Sequence, residues 1–386
     1  MEQACQSIAC MLLAAAALAV GAEASGAEAS GPTEAAKPVI VGYVFPRDGA
    51  LAPESIAAEK LTHLNYAFAP VRAGRLAAAS PDAARDLASL VSLRRRNPQL
   101  RILVSAGGWE GSRGFSDLAL TAASRRAFAR SVVEYLRRHD LDGFDLDWEY
   151  PGLPGAGNPH RPADRAHFTA LLAELRRALD ADGAARGRRL LLTIAAATSA
   201  DYLEHTEMAA AQASLDLVNL MTYDFVLAEA GDKAGHHANL SAPAGNPEAH
   251  SAERAVKAFL AAGVPAGRLV LGVPFYGRAW AGVSSVSDLG HKGRPAGEGF
   301  DARYGALAGL PGRDGWVRGW DDAAQAPYLL NAKRRLFVSY DDPESLRVKS
   351  RFVLDHGLAG VMFWAYHADT TGALLDALWS GLRGAR

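Results

Sequence analysis

The chain has 386 residues, with 41 basic and 42 acidic side chains, so its formal net charge is −1. Hydrophobic residues make up 49% of it and charged residues 22%, which is ordinary for a globular protein and excludes disorder over most of its length. Nucleic-acid-binding proteins usually carry a basic excess, so the balanced charge argues against nucleic acid as a partner.

Residues 1–24 are predicted to be a secretory signal peptide. The apolar run 8–20 is shorter than the ~20 residues that span a bilayer. Small residues follow at 22–24, and cleavage is expected after Ala24. The start has no Lys or Arg, so a mis-assigned start or an uncleaved anchor is the alternative. Both cysteines lie in this leader, so the mature chain is expected to lack disulfides and cysteine–zinc sites.

Residues 25–37 are rich in Ala, Gly, Ser, Glu and Pro and are predicted to be a flexible tether. Together with the leader, they indicate an exported protein that is secreted or periplasmic. No membrane span is expected once the leader is removed.

Eight short apolar segments recur along the rest of the chain. Continuous apolar character is typical of strands buried on both faces, which occur in parallel sheets. The predicted strands are 39–45, 62–69, 100–106, 142–148, 190–196, 215–221, 268–275 and 358–365.

Helical patterns alternate with these strands, and the alternation predicts an α/β fold, a (β/α)8 TIM barrel. A doubly wound open sheet is the alternative, but no Gly-x-Gly-x-x-Gly motif follows the first strand. The predicted helices are 82–96, 121–138, 164–181, 249–262, 344–356 and 371–382.

Residues 281–338 interrupt the alternation between strands seven and eight. At about 55 residues, this interval is too long for a simple barrel loop. It is rich in Gly and aromatic residues, and it is predicted to be a small α+β insertion domain that walls one side of the active-site cleft. The catalytic barrel is then 38–280 and 339–386.

Three acidic residues alternate along the fourth predicted strand: Asp145, Asp147 and Glu149. Residues two apart in a strand point to the same face, with Cα atoms ~6.6 Å apart. The three carboxyl groups are therefore expected to meet at the C-terminal end of the barrel. Phe144 and Leu146 are expected to face the helix layer instead.

Crowding raises the pKa values of neighbouring carboxyl groups. We expect a proton shared between Asp145 and Asp147 and a protonated Glu149 near neutral pH, the state that a general acid needs. A metal site and an inert cluster are the alternatives. No metal is predicted, because no His or further acid is spaced to complete the coordination of a cation.

The segment 142–151, DGFDLDWEYP, resembles the signature strand of glycoside hydrolase family 18, the chitinases and their relatives, with the pattern D-G-x-D-x-D-x-E. The likeness covers about residues 38–382, and the insertion resembles that of the deep-cleft chitinase subfamily. Further matching segments are Ser-Ala-Gly-Gly-Trp at 105–109, Met-Thr-Tyr-Asp at 221–224, Tyr-Gly-Arg at 276–278 and Trp364.

The resemblance implies substrate-assisted, retaining hydrolysis. Glu149 would protonate the glycosidic oxygen, and the substrate's own 2-acetamido oxygen would attack the anomeric carbon. Asp147 would orient the acetamido N–H, and Asp145 would hold the proton of Asp147 while Glu149 is protonated. Tyr223 would position the acetamido oxygen through a hydrogen bond.

The resemblance also implies a cleft in which aromatic rings contact sugar faces. Trp364 would form the floor of the −1 subsite, and Trp109 would stack near the +1 subsite. The other implied substrate-binding residues are Tyr43, Phe68, Gly107, Gly108, Glu110, Tyr150, Met221, Asp224 and Arg278.

One segment departs from the family pattern. The family commonly has Gly and Trp shortly after Met-x-Tyr-Asp, whereas this chain has FVLAEA at 225–230. The departure puts one aromatic subsite, on the leaving-group side, in doubt.

The resulting prediction is a secreted, monomeric chitinase that acts on chitin or chitooligosaccharides without an organic cofactor. An endo-β-N-acetylglucosaminidase acting on glycoprotein glycans and a non-enzymatic chitin-binding lectin are the alternatives. Lectin relatives typically lack the acid at the position of Glu149, which is present here.

Overall fold

The computed structural model describes residues 37–46, 52–229, 231–291, 293–297 and 299–384. The predicted signal peptide, 1–24, lies outside the described residues, as does the predicted tether, 25–37, except for its last residue. No helix in the described ranges is both long enough and apolar enough to cross a bilayer.

Within these ranges, eight parallel strands close into a barrel in which each strand pairs with the next along the chain and the last pairs with the first. The predicted (β/α)8 architecture and all eight predicted strands are confirmed. The strands are β1 (Val39–Val44), β2 (His63–Tyr66), β3 (Arg101–Gly107), β4 (Gly143–Asp147), β5 (Leu191–Ala196), β6 (Leu217–Leu220), β7 (Leu269–Pro274) and β8 (Gly360–Trp364).

Helices cover the outside of the barrel, and each predicted helix is present with ends shifted by a few residues. The α-helices of the described chain are Ala83–Ser92, Phe115–Ala119, Ala122–His139, Asp164–Arg186, Ala200–Glu204, Met208–Ala211, Ala252–Ala261, Tyr304–Leu307, Pro343–Asp355 and Ala373–Arg383.

The helix Ala122–His139 shows how the sequence sets this layer. It begins after Thr121, whose hydroxyl accepts a hydrogen bond from the backbone N–H of Ser124 in a capping box. Its buried face includes Phe128, whose ring lies 5.9 Å from that of Phe144 on β4. The apolar face of β4 is therefore covered by helix side chains, which leaves the opposite face of the strand inside the barrel.

A five-stranded antiparallel sheet lies between β7 and β8 in the sequence. Along the chain, its strands extend from Arg278 to Ser339, whereas the predicted insertion spans 281–338. Trp280 and Phe337 are paired across two strands and fully buried. In sheet order, the strands are Arg294–Pro295, Arg278–Ala281, Leu336–Ser339, Ala326–Asn331 and Val317–Asp321.

Candidate active site

The three predicted acids follow one another out of the barrel along β4. Asp145 lies within the strand and is fully buried, and Asp147, its last residue, is also buried. Glu149 lies two residues beyond the strand end and is partly exposed. The even-numbered Phe144 and Leu146 are fully buried in the core shared with the helices, as the alternation predicted.

Strand register surrounds Asp145 with hydrogen-bond donors. Ser105 on β3 and Thr193 on β5 lie directly opposite Asp145 in the parallel pairings. Their hydroxyl groups both donate to its carboxylate, the Ser105 bond at 2.7 Å. The hydroxyl of Tyr43 donates at 2.8 Å and the amide of Asn219 at 3.4 Å. Burial raises the pKa of Asp145, and these donors oppose the increase.

Asp147 and Glu149 have raised pKa values, mainly because they are buried. The pKa of Asp147 lies well above its ordinary value, with the negative charges of Glu149 and Asp145 adding to the effect of burial. Burial raises the pKa of Glu149 to about 7, against a hydrogen bond with Tyr150 that lowers it. A carboxyl group with this pKa carries a proton in much of the population at neutral pH, as a general acid must.

The carboxyl group of Asp147 is incompletely paired. Among the described residues, its Oδ1 atom is buried and has no hydrogen-bond partner. The hydrogen bonds found on Asp145 come from Tyr43, Ser105, Thr193 and Asn219, and none comes from Asp147. In this conformation, therefore, no direct hydrogen bond joins Asp145 and Asp147, and the proton that they are expected to share does not lie between them.

Tyr223 comes from the segment that follows β6. Thr222 anchors this segment, because its hydroxyl donates to the carbonyl of Gly272 at 2.6 Å. Burial and the charge of Asp147 raise the pKa of Tyr223 well above its ordinary value, so its hydroxyl remains a donor. Met221, from the same segment, lines the cavity beside Tyr223.

Asp224 is held in an ionised state on the cavity wall. Arg278 binds it through two nitrogens, at 2.8 and 2.7 Å, and the hydroxyl of Tyr276 donates at 2.8 Å. Burial alone would raise the pKa of Asp224, but the bonds with His237 and Arg278 outweigh it and hold the pKa well below the ordinary value. This wall is therefore a fixed polar surface.

Aromatic side chains form the floor and one rim of the site. Trp364, the last residue of β8, stacks against Phe68 with ring centroids 5.5 Å apart. Trp109 is 52% exposed and meets the edge of Tyr150 at 6.3 Å. A half-exposed tryptophan at a cavity rim offers a flat apolar face to a sugar ring.

These groups enclose a cavity of about 760 Å³. Ten predicted site residues line it, and they come from the ends of β2, β3, β4, β6, β7 and β8 and the segments that follow. They are Phe68, Trp109, Asp147, Glu149, Tyr150, Met221, Tyr223, Asp224, Arg278 and Trp364.

Five other predicted site residues do not line the cavity but support it or lie apart. Tyr43 and Asp145 lie beneath it, joined by their hydrogen bond. Gly107 has a φ of 121°, and a Cβ there would lie 1.8 Å from the carbonyl oxygen of Asp147. Gly108 donates its N–H to that same carbonyl at 2.8 Å. Glu110 is exposed beside a short 3-10 turn, Gly111–Gly114.

Sequence reasoning missed one wall of the cavity. In the sequence, the segment 225–230 stands out only as a departure from the family pattern, yet Phe225, Leu227 and Glu229 line the cavity. Within the described ranges, residues 281–338 contribute none of the lining, so the inserted sheet contacts the cavity through Arg278. The other unpredicted lining residues are Leu153, Pro154, Ala197, Thr198, Ser199, Asp201, His250 and Tyr276.

In the described part of the chain, no group of three or more His, Cys, Asp or Glu side chains is arranged to hold a metal ion.

Residues 39–369 match the family model of the glycosyl hydrolases family 18. Chitinase A1 of Niallia circulans is 42% identical over 311 residues, which cover 76% of this chain and 44% of the relative. The chain therefore spans less than half the length of that relative.

Solved structures share the fold. A family 18 N-acetylglucosaminidase from Paenibacillus barengoltzii is 42% identical, with a TM-score of 0.80 over 89% of this chain and 99% of that one. A class V chitinase from Nicotiana tobaccum, solved with NAG4, is 28% identical, with a TM-score of 0.80 over 90% of this chain and 99% of that one. The chain therefore belongs to glycosyl hydrolase family 18.

Proposed function

We propose that the chain is a chitinase that hydrolyses β-1,4 linkages between N-acetylglucosamine units, with Glu149 as the general acid. The observation that carries the proposal is the position of Glu149, a carboxyl group with its pKa raised to about 7, on a cavity shared with Asp147 and Trp364. The relatives named Chitinase A1 and class V chitinase support the same substrate class.

In the proposed reaction, Glu149 gives its proton to the glycosidic oxygen as the bond from that oxygen to the anomeric carbon breaks. The carbonyl oxygen of the substrate's 2-acetamido group forms a bond to the same carbon, which gives an oxazolinium ion. Water then attacks the anomeric carbon from the side of the departed sugar and gives a proton to Glu149, while the bond from that carbon to the acetamido oxygen breaks and the acetamido group is restored. Two displacements leave the product with retained configuration.

Asp147 and Tyr223 hold the acetamido group in this scheme. The unpaired Oδ1 of Asp147 is suited to accept the acetamido N–H, and the carboxylate offsets the positive charge that develops there. Tyr223 donates its hydroxyl hydrogen to the acetamido oxygen and so orients it for attack. Asp145 takes up the proton of Asp147 while Glu149 is protonated, for which Asp147 must turn toward it from the described conformation, where no hydrogen bond joins the two.

An enzyme carboxylate is not required as the nucleophile. Asp224, the ionised carboxylate on the same wall, is bound by Arg278 and Tyr276 and is better suited to contacting sugar hydroxyl groups. Trp364 with Phe68 forms the floor under the distorted sugar ring. Trp109 with Tyr150 forms a rim for the neighbouring sugar.

Replacing Glu149 by Gln tests this assignment. We expect turnover of the N-acetylglucosamine hexamer to fall by a factor on the order of 10³ or more while binding of the oligomer persists. Glu54→Gln, at an exposed position, is the matched control. Wild-type turnover in Glu149→Gln would reject the assignment. Initial products in the β-anomeric form would support retention.

Product analysis separates the enzymatic alternatives. The Paenibacillus relative is named an N-acetylglucosaminidase, so release of single sugars from chain ends is a second candidate. Mass spectrometry of products from the hexamer and from a glycopeptide would distinguish a chitinase, such an enzyme and an endo-β-N-acetylglucosaminidase. Release of any reducing ends would exclude the lectin alternative.

We also propose that the protein is exported, with cleavage after Ala24, and that it acts as a monomer. The sequence pattern at 8–24 supports export. Mass spectrometry of the N-terminus of protein recovered outside the cytoplasm would test the cleavage site, and light scattering would test the oligomeric state.

A further inference from the structure

The backbone of Glu149 lies beyond the hydrogen-bonded part of its strand. The last pair between β4 and β3 is Asp147 with Gly107, and the last pair between β4 and β5 is Leu146 with Ile194. Sheet pairing therefore does not reach the peptide groups on either side of Glu149. A residue that must place a proton on one oxygen atom needs another means of support.

A serine side chain supports the N–H side of this residue. The hydroxyl oxygen of Ser112 accepts the backbone N–H of Glu149 at 2.9 Å. Its hydrogen is directed at the carbonyl oxygens of Gly108, at 2.8 Å, and Asp147, at 3.1 Å. Ser112 is fully buried, so water does not compete for these bonds.

An asparagine side chain supports the C=O side. The amide nitrogen of Asn158 donates to the carbonyl of Glu149 at 3.0 Å and to the carbonyl of Trp109 at 3.2 Å. Asn158 is buried as well. Gly155 leaves room for this arrangement, because a Cβ there would lie 2.4 Å from the carbonyl oxygen of Glu149 and 3.0 Å from the Asn158 amide.

We propose that Ser112 and Asn158 are positioning residues that hold the peptide groups of Glu149 and tie the general acid to the sugar-binding Trp109. This inference rests on the proposed role of Glu149. Loss of either bond would let the acid move relative to the glycosidic oxygen, and a displacement near 1 Å costs about 10²-fold in rate. It would also expose the carboxyl group to solvent and weaken the burial that raises its pKa.

The test uses the full chain with Asn158→Ala and Ser112→Ala. Asn97→Ala is the matched control, because Asn97 also donates its amide to two carbonyls, those of Ala58 at 2.8 Å and Leu61 at 2.9 Å, before the start of β3. For the two test variants we expect kcat on the hexamer to fall about 10- to 100-fold, with KM within about threefold.

The pH profile provides a readout that general loss of stability does not produce. In both test variants, the alkaline limb of kcat/KM is expected to move to lower pH by about half a unit or more. The charged and titratable groups that face Glu149, which are Asp147, Asp224, Tyr150 and Tyr223, are unchanged in these variants. Asn97→Ala should keep the wild-type kcat and profile.

Two more variants, Gly155→Ala and Glu149→Gln, test the positioning role separately from the role of the general acid. Gly155→Ala should lower kcat in the same way, because its methyl group displaces the Glu149 carbonyl without removing a polar group. Wild-type kcat and profile in Asn158→Ala and Ser112→Ala, with Glu149→Gln inactive, would overturn the positioning role alone. Full activity of Glu149→Gln would overturn the proposed function, and this inference with it.

Discussion

The two ends of β4 use acidic side chains in opposite ways. Asp142, just before the strand, accepts the backbone N–H of Ile102 at 2.8 Å and a bond from Arg94 at 2.6 Å, and Arg188 lies 3.3 Å away. Asp147, at the other end, has a buried oxygen without a partner in the described chain. The fully paired carboxylate and the incompletely paired one are therefore only five positions apart in the sequence.

The strand β6 repeats the first arrangement. Asp216, just before this strand, accepts the backbone N–H of Leu192 at 2.8 Å and pairs with Arg176 and Arg189. At the N-terminal end of the barrel, acids thus serve to join neighbouring strands and helices. At the C-terminal end, the buried oxygen of Asp147 without a partner in the described chain costs stability, and we propose that it serves the chemistry, which is the usual division in this architecture.

Of the changes at the two ends of β4, Asp147→Asn gives the larger expected effect on activity. Asparagine removes the charge that offsets the acetamido cation, so we expect kcat to fall by about 10²- to 10³-fold. The neutral amide suits a buried position next to Glu149, so the midpoint of thermal unfolding should stay the same or rise. Kinetics with the hexamer and a melting curve measure both quantities. A large drop in the melting midpoint would contradict this account of Asp147.

Asp142→Asn should do the reverse. It leaves Arg94 and Arg188 without their buried partner, so we expect the free energy of unfolding to fall by about 2–4 kcal/mol. Asp142 does not line the cavity, so kcat per folded molecule should be unchanged. Urea unfolding combined with active-site titration measures both. A loss of kcat without a loss of stability in Asp142→Asn would contradict the conclusion that the acid at this end of β4 serves stability and not activity.

The pH dependence follows from the raised pKa of Glu149. A general acid must be protonated, so kcat/KM should fall about tenfold per pH unit above about pH 7. The folded state also binds this proton more tightly than the unfolded state, whose pKa is about 4.3. Stability should therefore fall as pH rises from about 4.3 to 7, since the native state then holds more protons.

Glu149→Gln isolates the contribution of this group to stability. Between pH 5 and pH 7.5, the free energy of unfolding should fall less in the variant than in the wild-type protein. Urea unfolding at the two pH values measures the difference. Identical pH dependence in both proteins would show that the pKa of Glu149 is not raised in the folded state.

The barrel and the order of its acids could be predicted because both depend on local alternation. Apolar runs fix the strands, and a spacing of two places Asp145, Asp147 and Glu149 on one face. The supports of Glu149 could not be predicted in this way. Ser112 is 37 residues away in the chain and Asn158 lies in an irregular loop, so only the folded structure brings them together.

The cavity wall formed by Phe225, Leu227 and Glu229 was beyond sequence reasoning for a different reason. The family pattern indicated what was absent there, but it did not indicate that Leu227, 41% exposed, would line the cavity. The family resemblance implies that Tyr43 contacts the substrate. Its hydroxyl binds Asp145 instead, a contact that depends on strand register across the closed barrel.

Added salt is expected to have the smallest effect on stability, and it tests the same difference between the N-terminal and C-terminal ends of the barrel. Several arginines at the N-terminal end of the barrel are solvent-accessible; 61% of the Arg189 side chain, for example, is exposed. At 1 M salt the electrostatic screening length falls to ~3 Å, so ion pairs made by these arginines are weakened. We expect 1 M NaCl to lower the free energy of unfolding by less than about 1 kcal/mol. Hydrolysis of a neutral oligosaccharide should be unaffected, because in the described structure the buried Oδ1 atom of Asp147 has no basic side chain as a partner that salt could screen.

The variant Asp142→Asn provides the control. It already lacks part of the ion-pair network, so its stability should respond less to salt than that of the wild-type protein. An equal response in the two proteins would place the salt sensitivity outside this end of the barrel.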